Sequence, residues 1–165
     1  MKGLPVQHVK FITEQEVADI YKDSYWDACR CGEMTYGIDY MTFDPAVNSG
    51  PRRGIKWMQR ALRVKADGVV GPKTLAAIAD LSPEEEIAVI DRAADLRMGF
   101  LRSLRHWPTF GKGWSRRVME TEAQAKLDAP LDNDTIASLP RTRPSIWDFI
   151  MNLLDTLFNK EDLVS

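Results

Sequence analysis

A chain of 165 residues, 44% of them apolar, can build one ordinary core with room for an appended segment. Its formal net charge of -2 excludes a global field that selects nucleic acid, and no apolar run reaches the length of a membrane span. The charge is uneven: Arg97 to Arg117 is rich in Arg and Lys, a patch suited to an anionic polymer, whereas Glu84-Glu85-Glu86 and the last residues are acidic.

The N-terminal residues Met1 to His8 contain no apolar stretch of the kind found in a secretory signal peptide. Thr13-Glu14-Gln15-Glu16 is a capping box, and Val17, Ile20 and Tyr21 follow at helical spacing, so a helix is expected from Glu14 to Trp26. Residues 28 to 35 read as a loop. They hold Cys29 and Cys31, a C-x-C pair too short for a zinc knuckle and read as free thiols of a reducing compartment. His8 and His106 are too few and too separated to add ligands, so no metal and no cofactor is expected. Ile38 to Asn48 reads as a buried helix in which Pro45 limits the start or sets a kink. Ser49-Gly50-Pro51 is a break, and Arg53 to Leu62 forms the next helix, with Ile55, Met58 and Leu62 on one side.

The stretch Asp67-Gly68-Val69-Val70-Gly71-Pro72-Lys73-Thr74 describes a tight turn that launches a helix. Gly68 and Gly71 can take positive φ without a Cβ clash, and Pro72 suits a first helical turn, where its missing N–H costs nothing. Lys73 to Asp80 continues as a short helix. Ser82, Pro83 and Glu85 stand at N-cap, N1 and N3 of another, whose apolar residues Ile87, Ile90, Ala94, Leu101 and Leu104 carry it to the region of His106-Trp107-Pro108. Gly111-Lys112-Gly113 reads as an interruption before a last body helix from Trp114 to Leu127. From Ala129 to Pro144 prolines and small polar residues mark a linker. Ser145 to Asn159 is an amphipathic helix whose broad apolar face includes Trp147 and Phe158. That face suits packing against its own chain, a protein partner or a second copy, and its few flanking cations speak against a membrane surface. No strand pattern and no internal repeat is present, so the expected fold class is all-α.

Several segments together resemble the lysozyme-like glycoside hydrolase family 108, phage-type muramidases also described as secretion activators. Ile12-Thr13-Glu14, Tyr21 and Tyr25-Trp26-Asp27 are similar to one family helix, and Phe43 to Gly50 resembles its D-x-A-V-N-S-G segment. Gln59-Arg60-Ala61-Leu62 with Asp67-Gly68, Gly71-Pro72 and Thr74 resembles the family's peptidoglycan-binding part. Phe110-Gly111-Lys112-Gly113-Trp114 with Arg116-Arg117-Val118 resembles its closing segment. The resemblance covers Leu4 to Lys126. It implies a lysozyme-like helical domain that recognises peptidoglycan glycan strands, with Asp67, Gly68, Gly71, Pro72, Thr74, Gly111, Gly113 and Trp114 as motif residues. It places Asp44 and Asn48, one helical turn apart, beside the sugar cleft. Tyr40 and Trp26 could stack on sugar faces, although aromatics at such positions also serve cores, and Asp44 and Asn48 could equally be helix-end residues.

One departure bears on activity. The family's opening E-G-G-Y, whose Glu is the general acid, does not occur in this sequence. The weak substitutes are Glu33, in the loop after the cysteines, and Asp44. The expected organisation is a remnant of the catalytic lobe over 1–50, a peptidoglycan-binding helical region over 51–127, a linker over 128–144 and the amphipathic helix within 145–165. The leading expectation is an endolysin-family protein made in a bacterial cytoplasm, acting in the periplasm or at the wall, that recognises peptidoglycan without its own catalytic Glu. The alternatives are an active muramidase, with a substitute carboxylate or an upstream segment, and a non-catalytic scaffold or secretion-accessory protein.

Overall fold

A computed structural model describes residues 12–129, and all of its regular structure is helical. The linker and amphipathic helix expected after Ala129 lie outside the described residues. The chain divides between Ser24 and Tyr25 into two units. The first contains α1 (Glu14–Tyr21), opened by the expected capping box: Thr13 accepts from the Glu16 backbone and the Glu16 carboxylate accepts from the Thr13 N–H at 2.8 Å. The expected continuation to Trp26 takes a wider form, a π-helical stretch over Lys22–Asp27.

The second unit holds a short 3-10 turn (Cys31–Glu33) and five helices: α2 (Ile38–Ser49), α3 (Pro51–Ala61), α4 (Pro72–Ala79), α5 (Pro83–Arg102) and α6 (Trp107–Asp128). Its core gathers Ile38, Met41 and Phe43 of α2, Ile55 and Met58 of α3, Val89 and Ile90 of α5, and Val118 of α6, all essentially sealed from water. Each large apolar side chain so buried contributes on the order of 1.5–3 kcal/mol. Cys29 and Cys31 are buried free thiols.

Helices α2 and α3 are joined by Gly50 alone. They approach closely because Gly54 has no side chain: a Cβ there would lie 2.9 Å from both the Thr42 carbonyl oxygen and the Ala46 nitrogen. Pro45 neither starts nor stops α2. It lies fully buried inside the helix, and packing against α3 carries α2 through the lost backbone bond.

Two boundaries differ from the sequence reading. Helix α5 stops at Arg102, where the Ser103 hydroxyl donates to the Phe100 carbonyl at 2.7 Å, rather than reaching His106. Helix α6 begins at Trp107 and runs unbroken through Gly111-Lys112-Gly113. Gly111 is buried under the Trp107 indole, where a Cβ would come within 2.8 Å of the ring, so this glycine serves packing inside a helix rather than a break. Among the described residues, no helix is long and apolar enough to cross a membrane.

Candidate functional site

The Asp-Gly turn is built around one amide. Gln59 of α3 is 1% exposed, and all of its polar capacity is turned on the following loop. Its Nε2 lies 3.0 Å from Asp67 Oδ1, 3.0 Å from the Val69 carbonyl and 3.2 Å from the Thr74 hydroxyl. Its Oε1 accepts from the Gly68 N–H at 2.8 Å. Gly68 has φ 82°, the left-handed value that favours glycine. Gly71 does not: its φ of -112° is open to any residue, and it precedes Pro72 as the N-cap of α4. The Gln59 amide and then the Val69 N–H hold the Asp67 carboxyl below its usual range. Arg30 reaches this turn from far along the chain, donating from Nη1 to the Val70 carbonyl at 2.9 Å.

Asp44 occupies a second polar centre. It is 2% exposed, and Arg117 of α6 clasps it with Nε and Nη2 at 3.0 and 2.7 Å from Oδ2. Arg97 of α5, 3% exposed, brings Nη1 to 2.6 Å from Oδ1. That Arg97 contact is a charge contact without hydrogen-bond alignment. One carboxylate thus pins α2 against both long helices. The basic stretch from Arg97 to Arg117, read from sequence as a patch for an anionic polymer, buries Arg97 and half-buries Arg117 against Asp44, and Arg116 lies 3.9 Å from Glu120.

The residues singled out from sequence fall in distinct settings. Tyr40, half-buried one turn before Asp44, has its phenol pushed up to about 12, first by burial and then by the Asp44 charge. Asn48, one turn after Asp44, is exposed and donates from Nδ2 to the Asp44 carbonyl at 3.0 Å. Trp26 is half-buried and meets Phe43 edge-on at 5.5 Å. Trp114 joins a surface aromatic group with Phe110 at 5.7 Å and Trp107 at 6.3 Å. Glu33 is exposed, and Arg30 donates to it from Nε at 2.6 Å, which lowers its pKa. A proton donor needs the reverse.

Sequence reasoning named Gln59, Arg97, Arg117 and Glu86 only as members of a motif or a charge run and gave none of them a partner. Arg97 carried a signal: it falls on the apolar stripe of α5 between Ala94 and Leu101, where a charge implies a buried partner. Glu86, the last of the acidic run Glu84-Glu85-Glu86, is 3% exposed and accepts from the Thr35 hydroxyl at 2.7 Å. Burial raises its pKa, and the Thr35 bond opposes the rise. Among the described residues no cluster of metal-ligating side chains occurs.

Comparison with known proteins agrees with these features. Residues 2–50 match the family Glycosyl hydrolase 108, and residues 53–119 match the family described as Predicted Peptidoglycan domain. No curated protein matches the chain. A solved structure of Brucella abortus SagA is 35% identical, with a TM-score of 0.69, over 76% of this chain and 70% of that one. With its helical body, its Gln59-bound turn and these matches, the chain belongs to the glycosyl hydrolase 108 family of muramidase-like cell-wall proteins.

Proposed function

We propose that this chain is a peptidoglycan-recognising member of its family, and that residues 12–129 hold the wall without supplying the acid that cleaves it. Glycosidic cleavage needs a carboxyl kept protonated in a partly desolvated, open site. Glu33 is solvated and held in its ionised form by Arg30. Asp44 is 2% exposed and clasped by the Arg97 and Arg117 guanidinium groups, which leaves no room for a leaving oxygen. Glu86 has the raised pKa an acid needs, yet at 3% exposure it cannot reach a glycan.

Binding has better support. In this reading, the exposed Asn48 and the half-buried Tyr40 flank Asp44 on α2 and meet sugar hydroxyls and acetamides, and Trp26 offers a stacking face. Asp44 acts behind them as a positioning residue. The observation that carries the reading is the turn locked by Gln59, which lies inside the stretch matched by the peptidoglycan family.

Sedimentation with insoluble peptidoglycan and zymography on purified walls test it together. Retention without clearing is the expected result. Clearing that disappears in Glu33→Gln would establish a hydrolase with a substitute carboxylate instead. Absence of retention would favour a scaffold or secretion-accessory role.

A further inference from the structure

Helix α3 carries Arg52, Lys56 and Arg60 at successive i, i+4 positions, one ridge of its surface. At 1.5 Å per residue this ridge is about 12 Å long. Arg52 and Arg60 are exposed and Lys56 is half-buried. Among the described residues no ion pair involves any of the three. Other cations are paired, Arg30, Arg97, Arg116, Arg117 and Lys126 each with a carboxylate, and several further surface cations are not; what sets these three apart is their alignment on one ridge beside the Gly68 turn. Like charges one turn apart repel, and the ridge carries that cost with no internal acid to offset it. Between Pro51 and Thr74 the only acid is Asp67, whose carboxylate is already bound by Gln59 and the Val69 N–H.

The ridge also has a fixed relation to the motif turn. A Cβ on Gly68 would lie 2.6 Å from Arg52 Cγ and 3.3 Å from Lys56 Cε, so both side-chain stems run across the bare backbone of that glycine. A ligand lying along the turn therefore has a guanidinium and an ammonium beside it.

We infer that Arg52, Lys56 and Arg60 form a docking ridge for the free carboxylates of peptidoglycan stem peptides, beside the Gly68 turn. The inference rests on the wall-recognition reading and names the part of the wall engaged. Peptide stems, not the sugar hydroxyls and acetamides, carry the free carboxylates of this polymer. Arginine grips a carboxylate with two parallel hydrogen bonds. Length favours a stem over a duplex or a membrane: three or four extended residues span about 10–14 Å, the reach of this ridge.

The test uses the full chain on intact sacculi and on sacculi whose stem carboxylates have been converted to neutral amides with a carbodiimide and methylamine, which leaves the wall cross-linked and insoluble, over a salt titration. Retention should fall at least about ten-fold on the amidated wall and weaken with salt. Arg52→Gln/Lys56→Gln/Arg60→Gln should show the same loss on intact sacculi and no further loss on amidated ones. Glutamine keeps the Cγ that packs on Gly68, and circular dichroism checks the fold. Arg52→Lys/Arg60→Lys keeps the charge but loses the paired bonds, so its retention should fall between wild type and the triple variant, and Arg60→Glu, remote from Gly68, should lower it alone. Equal retention on both walls, or a triple variant that binds like wild type, overturns the ridge while leaving wall recognition standing. Failure to sediment with either wall overturns both. Ridge-dependent binding to duplex DNA or anionic vesicles with indifference to the stems also overturns it.

Discussion

Removing the charge of Asp44 would leave Arg97 sealed inside the protein with no nearby anion. Asp44→Asn should therefore cost about 3–5 kcal/mol of stability, the usual penalty for breaking a buried pair from one side. Urea denaturation at neutral pH measures it, and a loss below 1 kcal/mol would mean that water reaches Arg97. Gln59 is the neutral counterpart. Gln59→Leu fits the space but orphans the Gly68 N–H and the Thr74 hydroxyl, each costing about 1–3 kcal/mol. Gln59→Glu should be no better: it still accepts from Gly68 but cannot donate to Asp67, Val69 or Thr74. Glu86 gives a pH signature. Burial makes the folded state bind its proton more tightly than the unfolded state does, so stability falls as pH rises from the ordinary glutamate range through the raised value. Glu86→Gln should flatten that part of the melting-temperature profile and leave the protein at least as stable at pH 7.

Helix α6 offers a contrast between two glycines two residues apart. Gly111 lies against the Trp107 ring and Gly113 has nothing within 4 Å of a built Cβ. Gly111→Ala should cost about 1–3 kcal/mol by displacing the indole, whereas Gly113→Ala should stabilise by about 0.5–1 kcal/mol through helix propensity alone. Thermal melts of the two variants decide it, and opposite signs are required. The unbroken α6 also shows why the sequence suggests a break that is absent. A G-x-G triplet weakens a helix by local propensity, but packing of Gly111 under Trp107 and of Val118 in the core outweighs it. The early stop of α5 works the other way: apolar spacing continues to Leu104, yet the Ser103 hydroxyl turns back onto Phe100 and closes the helix.

For the molecule as a whole, the sedimentation experiment on walls joins the fold to function, and retention without clearing is its expected outcome. Helices, their capping boxes at Thr13 and Ser82, the break at Gly50 and the Asp67–Thr74 turn were legible in the amino-acid order, because each depends on residues within a few positions of one another. Family resemblance was legible for the same reason, as a run of short local motifs. The site was less so. That Asp44 belongs to Arg117, 73 positions away, or Glu86 to Thr35, 51 positions away, has no local trace. The family resemblance implies a place for Asp44 beside the sugar cleft, and the amino-acid order shows Arg97 to Arg117 as a basic stretch; that Asp44 meets Arg97 and Arg117 is visible only in the fold. Local propensities and caps determined which segments are helices. Only the tertiary packing decided which charges meet a partner, as Asp44 and Arg97 do, and which, like Arg52 and Arg60 on α3, stay at the surface, because partner choice depends on distance in space rather than along the chain.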